Sequence, residues 1–120
     1  MRKIGPTRMV LVLLVCTVAF MSTSCALLMG DVCSLAGRRH FDNGAYQRAI
    51  RAYTASLNWG RLSLLYGGGG RPTSLTLNLR GEAHLAMGNY SAAIADFIAA
   101  LSFYPANETA NENLARAMNP

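Results

Sequence analysis

Apolar residues recur at alternating three- and four-residue intervals through the C-terminal half of the chain. In residues 89–104 they are Tyr90, Ala93, Ile94, Phe97, Ala100, Leu101 and Tyr104, which line one face of a helix. Pro105 cannot continue the backbone ladder and ends it. Upstream, Leu75, Leu77, Leu79, Ala83, Leu85, Ala86 and Met87 predict another helix over 75–87, with Gly88 and Asn89 as its C-terminal turn. The pattern occurs twice. GAYQRAIRAYTASL at 44–57 reads in register with GNYSAAIADFIAAL at 88–101. Ala93 and Ile94 fall on Ala49 and Ile50, Phe97 on Tyr53, Leu101 on Leu57, Gly81 on Gly37 and His84 on His40, always at an offset of 44 residues. Small residues repeat too, with Gly37, Ala49 and Ser56 matching Gly81, Ala93 and Ala100, so paired helices can approach closely in both units. The pattern predicts an all-α stack of helix-turn-helix units.

At these residues the chain resembles the tetratricopeptide repeat family. Gly81, Ala93, Phe97 and Pro105 stand at family positions in the second unit, while Leu77, Arg80 and His84 replace the usual Trp, Leu and Tyr. The first unit matches with Gly37, Ala49 and Tyr53, with Cys33, Ala36 and His40 in the other slots and Arg61 where Pro is usual. NETANENLARAM, residues 107–118, looks like the first helix of a third unit, with Leu114 and Ala115 in the Leu-Gly slots, and would act as a cap. The resemblance implies a helix-turn-helix solenoid at 26–118: unit one at 30–60, an insertion at 61–73, unit two at 74–107 and a capping helix at 108–118. A family unit is about 34 residues, so the offset of 44 leaves about ten extra between Trp59 and Ser74. Residues 61–66 extend the second helix in this reading, and the four glycines at 67–70 form a joint before Arg71 and Pro72.

The N-terminus has a different pattern. Arg2, Lys3 and Arg8 precede the 13-residue run MVLVLLVCTVAFM at 9–21, and the small residues Ser22, Thr23 and Ser24 precede Cys25. That layout is a bacterial export signal. Three arrangements fit it. The stretch before Cys25 resembles a lipobox, with Ser22 where Leu is usual, and implies that Cys25 becomes a lipidated N-terminus. Alternatively, residues 9–29 form an uncleaved anchor, 21 residues long and long enough at about 1.5 Å each to span a bilayer. The third arrangement is secretion after cleavage near Ala26. Each puts residues 26–118 outside the inner membrane, and the placement of all three cations before the apolar run agrees with that orientation.

This division changes the meaning of the charge. The whole chain is +5, but without Arg2, Lys3 and Arg8 eight basic residues face six acidic ones, so nucleic-acid binding gains no support. From Arg38 to Arg80 seven arginines face Asp42 alone, whereas from Glu82 onward four acids face Arg116. A mean hydropathy of +0.21 is high for a domain of this size and reflects the N-terminal run. Cys33 suits a small buried position, or a disulfide with Cys25 if Cys25 is retained.

No constellation of nucleophile, base and acid emerges, GGGGRPT at 67–73 lacks the Lys-Ser/Thr of a phosphate loop, and no enzyme or cofactor is expected. His40 and His84 at matching places offer an alternative reading, a small metal- or ligand-binding envelope protein, although their slot is normally a packing position. The family resemblance implies instead a concave peptide-binding groove lined by the first helix of each unit: Asp31, Ser34, Arg38, Phe41 and Asp42, then Leu75, Asn78, Glu82, Leu85 and Ala86, then Thr109, Glu112 and Arg116. The clamp that grips chaperone tails needs Lys and Asn, then Asn, then Lys and Arg, and those slots hold Ser34 and Arg38, Leu79, and Thr109 and Asn113. The expectation is an interaction adaptor of the bacterial envelope, tethered to the membrane and facing the periplasm. Two units and a cap are close to the minimum for a continuous core, a shortage that homodimerisation or docking would relieve.

Overall fold

The computed structural model describes residues 5–65 and 70–120, with backbone alone for residues 19, 22–24, 26, 27, 63–65 and 71. Arg2, Lys3 and residues 66–69 of the insertion lie outside the described residues. Five helices follow in order: α1 (Pro6–Asp42), α2 (Tyr46–Leu65), α3 (Gly70–Ala86), α4 (Tyr90–Phe103) and α5 (Glu108–Met118). Among the described residues there is no strand, and the fold is all-α. Each helix packs against the next, while α3 also touches both α1 and α5. The result is two layers, with α1, α3 and α5 on one side and α2 and α4 on the other.

Both helix pairs close with the same turn. Gly44 and Gly88 take the left-handed conformation, at φ 72° and 74°. The Gly44 and Gly88 amides donate to the Phe41 and Leu85 carbonyls at 2.9 Å, while Ala45 and Asn89 donate to the His40 and His84 carbonyls at 2.8 and 2.9 Å. This is the paired bonding of a glycine-terminated helix, and it satisfies carbonyls the helix would otherwise leave free. The matched histidines therefore share a backbone role that any residue could fill.

Within each pair, an aromatic ring from the second helix lies flat on a glycine of the first. A methyl carbon at Gly37 would meet Tyr53 at 2.6 Å, and one at Gly81 would meet Phe97 at 2.5 Å, so both positions exclude any side chain. Tyr53 packs with Ala49 and Ala83, and Phe97 with Ala93 and Ala117. One further seam contact is built twice with its partners exchanged. Ser56 on α2 donates to the Gly30 carbonyl on α1 at 2.8 Å, whereas Ser74 on α3 donates to the Ala100 carbonyl on α4 at 2.7 Å. Positions 30 and 74 are repeat equivalents, as are 56 and 100, so the hydroxyl changes helix while the bond between the helices is kept.

Element boundaries depart from the sequence in three places. α1 is one helix of 37 residues, so the boundary expected after residue 25 falls inside it. Pro6 opens it, where the missing N–H would be unpaired in any case. α3 starts at Gly70, which makes residues 70–73 its first turn and not part of a joint; Pro72 is tolerated in that turn for the same reason. α4 ends at Phe103 because Tyr104, preceding Pro105, is forced into extended backbone at φ −147°. The extension of α2 through residues 61–65 agrees with the expected continuation.

The molecule measures 68 × 28 × 17 Å, and its long dimension comes from α1, which at about 1.5 Å per residue is roughly 55 Å long. Met9 to Val15, Val18, Phe20, Met21 and Leu28 are apolar and exposed along it, apart from Cys16 and Thr17 that interrupt the run. α1 meets α2 at Gly30, where a methyl carbon would lie 3.7 Å from Cβ of Trp59. Among the described residues no helix is long and apolar enough to cross a membrane. Residues 19, 22–24, 26 and 27, of which only the backbone is described, fall in the apolar half of α1.

Candidate functional site

The layer of α1, α3 and α5 forms a shallow pocket of about 270 Å³ lined by Phe41, Glu82, Leu85, Ala86 and Arg116. All five were expected in the groove, and they come together from three helices, Phe41 from α1, Glu82, Leu85 and Ala86 from α3 and Arg116 from the cap. Phe41 is held by Tyr46, whose ring stands edge-on at 5.2 Å and 63°. Leu85 is held by the cluster around Phe97. The pocket offers an apolar floor, a carboxylate that accepts hydrogen bonds and a guanidinium that donates them, a combination that suits one apolar side chain flanked by polar backbone groups.

The polar groups are positioned by a network between α3 and α5. Asn113 donates to Oδ1 of Asn78 at 3.1 Å and to Oε1 of Glu82 at 2.9 Å, and Asn78 donates to the same carboxylate oxygen at 3.0 Å. Arg116 in turn donates to Oδ1 of Asn113 at 3.2 Å. Asn78, expected as a groove contact, is 2% exposed and occupied on both sides by this network, so its role is to fix the cap. Ser34 is half-buried on α1, and Arg38 and Glu112 are exposed; none of the three lines the pocket. The start of α5 is tied down as well: Asn107 accepts from the Ala110 amide at 3.1 Å as N-cap and donates to Oγ of Ser74 at 3.0 Å.

Behind the pocket lies an ion pair that joins three helices. Arg80 donates to both oxygens of Asp96 at 2.9 and 2.6 Å and to Oγ1 of Thr54 at 3.2 Å. Nε2 of His84 stands 3.9 Å from the same carboxylate. An arginine half-buried between helices requires a partner, and Asp96 is the one acid on α4 that could serve. His84 is thereby committed to a structural cluster, and among the described residues no group of three His, Cys, Asp or Glu side chains could hold a metal ion. Tyr53 is also buried, and desolvation pushes its phenol up to about 12, with Arg38 opposing and Glu82 and Asp42 adding to the rise. Cys25 is exposed on α1 and Cys33 is half-buried, and both are free thiols.

No family model matches the chain, and no curated protein matches it.

Proposed function

We propose that the chain is a membrane-tethered adaptor of tetratricopeptide type in the bacterial envelope, which holds a peptide segment of a partner protein and carries out no reaction. The observation that supports this reading is the pocket in which Phe41 of α1, Leu85 and Glu82 of α3 and Arg116 of α5 converge. A helix-stack surface of this kind takes an extended or helical segment through apolar anchors and a few polar contacts. The tether is the N-terminal apolar segment, either as a span or through lipid on Cys25, and it puts the pocket on the periplasmic side.

A photo-reactive residue placed at Phe41 or Leu85 of the full chain, in membranes of producing cells, tests the reading against the same residue at Ile98, exposed on the opposite layer. Discrete adducts at 41 and 85 with none at 98 are the expected result. Equal labelling at all three sites would sink the adaptor assignment.

A further inference from the structure

The two ends of the helix stack differ in their distance from the N-terminal half of α1, which adjoins one of them at Gly30 and Trp59. At the end from which α1 departs, Trp59, Leu62 and Phe103 are exposed by 41%, 39% and 44%, beside exposed Arg61 and Leu75. These residues come from three helices, and antiparallel packing brings them to one end. Gly30 on α1 faces Trp59 and Ser56, Gly60 on α2 faces Thr73, and Gly70 on α3 faces Phe103, with the Phe103 carbonyl oxygen 2.9 Å from where its methyl would be. α2, with 20 residues against 14 in its counterpart α4, reaches beyond Trp59 toward the apolar half of α1. At the opposite end the turns at Gly44 and Gly88 are flanked by exposed Asp42, Asn43, Gln47, Arg48 and Asn89, with Met87 and Tyr90 exposed among them by 49% and 42%.

We propose that the end bearing Trp59, Arg61, Leu62 and Phe103 rests in the headgroup layer of the bilayer to which the N-terminal segment is tethered. The proposal depends on the tethered reading above and adds to it the face that meets the lipid. Either form of tether imposes the contact. A span of residues 9–29 leaves the bilayer at Gly30, and a lipid on Cys25 leaves five helical residues, about 7 Å, before Gly30. α1 is a continuous helix through this stretch, so the tether cannot slacken there as a coil would. Trp59, packed against Gly30, is therefore within a side chain's length of the headgroups. Tryptophan is the residue best matched to that layer, with an apolar ring and one polar N–H, and Arg61 suits the phosphates. The extra residues that separate the two units then have a use: they lengthen α2 so that Leu62 reaches the interface.

Trp59 is the single tryptophan of the chain and serves as its own probe. The full chain, purified from membranes, is reconstituted into phosphatidylethanolamine–phosphatidylglycerol vesicles containing lipids brominated either near the headgroup or near the acyl terminus. The expected result is a blue-shifted emission, quenched severalfold more by the shallow bromines. A W59F/M87W chain, which moves the probe to exposed Met87 at the other end, should show water-like emission without quenching, and W59F/F103W should behave as wild type. Flotation of the vesicles separates the two ideas. A chain that fails to float would overturn the tether and the proposal with it. A chain that floats with Trp59 unquenched and water-like would overturn the proposal alone. A blue-shifted, unquenched and concentration-dependent emission would place a second copy on this end and overturn it too, as would equal quenching at positions 59 and 87.

Discussion

Replacing Gly81 with alanine adds one methyl group to the seam between α3 and α4, and two opposing effects decide its outcome. In an open helix interior the change stabilises by about 1 kcal/mol, because glycine has more backbone freedom to lose. At position 81 the new carbon would lie 2.5 Å from Cε1, 2.9 Å from Cδ1 and 3.0 Å from Cζ of Phe97. Carbon atoms in contact prefer about 3.5–4.0 Å, so the ring or the helix must shift by about 1 Å. Phe97 is 0% exposed and enclosed by Ala93, Ala117, Leu85, Ile94 and Leu114, which leaves the ring no open space to enter. Overpacking of this sort costs about 1–3 kcal/mol, and an obstacle three ring atoms wide belongs at the upper end. The net loss is about 2 kcal/mol, a fall in Tm of roughly 8–16 °C for a domain of this size. Thermal unfolding of the full chain in detergent micelles, followed by circular dichroism, measures it. In a Phe97→Leu background the obstacle is gone, and Gly81→Ala should be neutral or stabilising, so the sign reverses. A rise in Tm for Gly81→Ala alone would refute the close approach, and an equal loss in both backgrounds would refute the ring as its cause.

Arg80→Ala leaves an Asp96 carboxylate that is 8% exposed, whereas Asp96→Ala leaves a guanidinium that is 23% exposed and can turn to water. The first should cost about 2–3 kcal/mol and the second about 1 kcal/mol in chemical denaturation, and equal costs would contradict the assignment of burial. Because the Tyr53 phenol is raised to about 12 in the fold, its contribution is complete below pH 10 and falls by about 2–3 kcal/mol as pH rises from 10 to 12. Tyr53→Phe should remove that alkaline loss, and an unchanged pH profile would count against it. Asn113→Ala removes the donor to Asn78 and Glu82 and should cost about 1–3 kcal/mol, with α5 the first element to lose amide-exchange protection.

The repeat and its turns were legible because they depend on spacing. A ring every 44 residues, a glycine 16 residues before it and a turn glycine between them leave one arrangement in which both aromatics are covered. Phe41, Glu82 and Leu85 followed from the same register. Asn78 did not, because its exposure is set by Asn113, 35 residues away on a different helix, and an amide reads alike whether it faces a ligand or a neighbour. The exchange of the serine between Ser56 and Ser74 was hidden for a related reason: small residues at equivalent places look interchangeable until the hydroxyl's acceptor is known. The start of α3 at Gly70 was missed because glycine and proline in sequence signal a break, yet the first turn of a helix tolerates both.

The interior is poor in large apolar groups. Among the described residues, only Tyr53, Leu77 and Phe97 of the buried apolar ones exceed alanine in size, and Ser56, Thr73, Ser74, Thr76, Asn78, Asp96 and Asn113 are buried beside them. Burying an alanine methyl contributes about 0.8 kcal/mol, less than the roughly 1–2 kcal/mol of backbone entropy lost by each ordered residue. Hydrogen bonds and ring-on-glycine contacts therefore fix the register of this domain more than they stabilise it. Meanwhile Met9 to Val15, Val18, Phe20, Met21, Leu28 and Met29 of α1, and Trp59, Leu62 and Phe103, remain outside the core. Stability is thus expected to depend on what covers them. A chain lacking residues 1–25 should melt low and broadly in solution, while the full chain in vesicles melts higher and more sharply. A sharp, concentration-independent melt of the shortened chain above about 65 °C would show that the alanine-rich core suffices alone and that the apolar end needs no lipid to hold the fold.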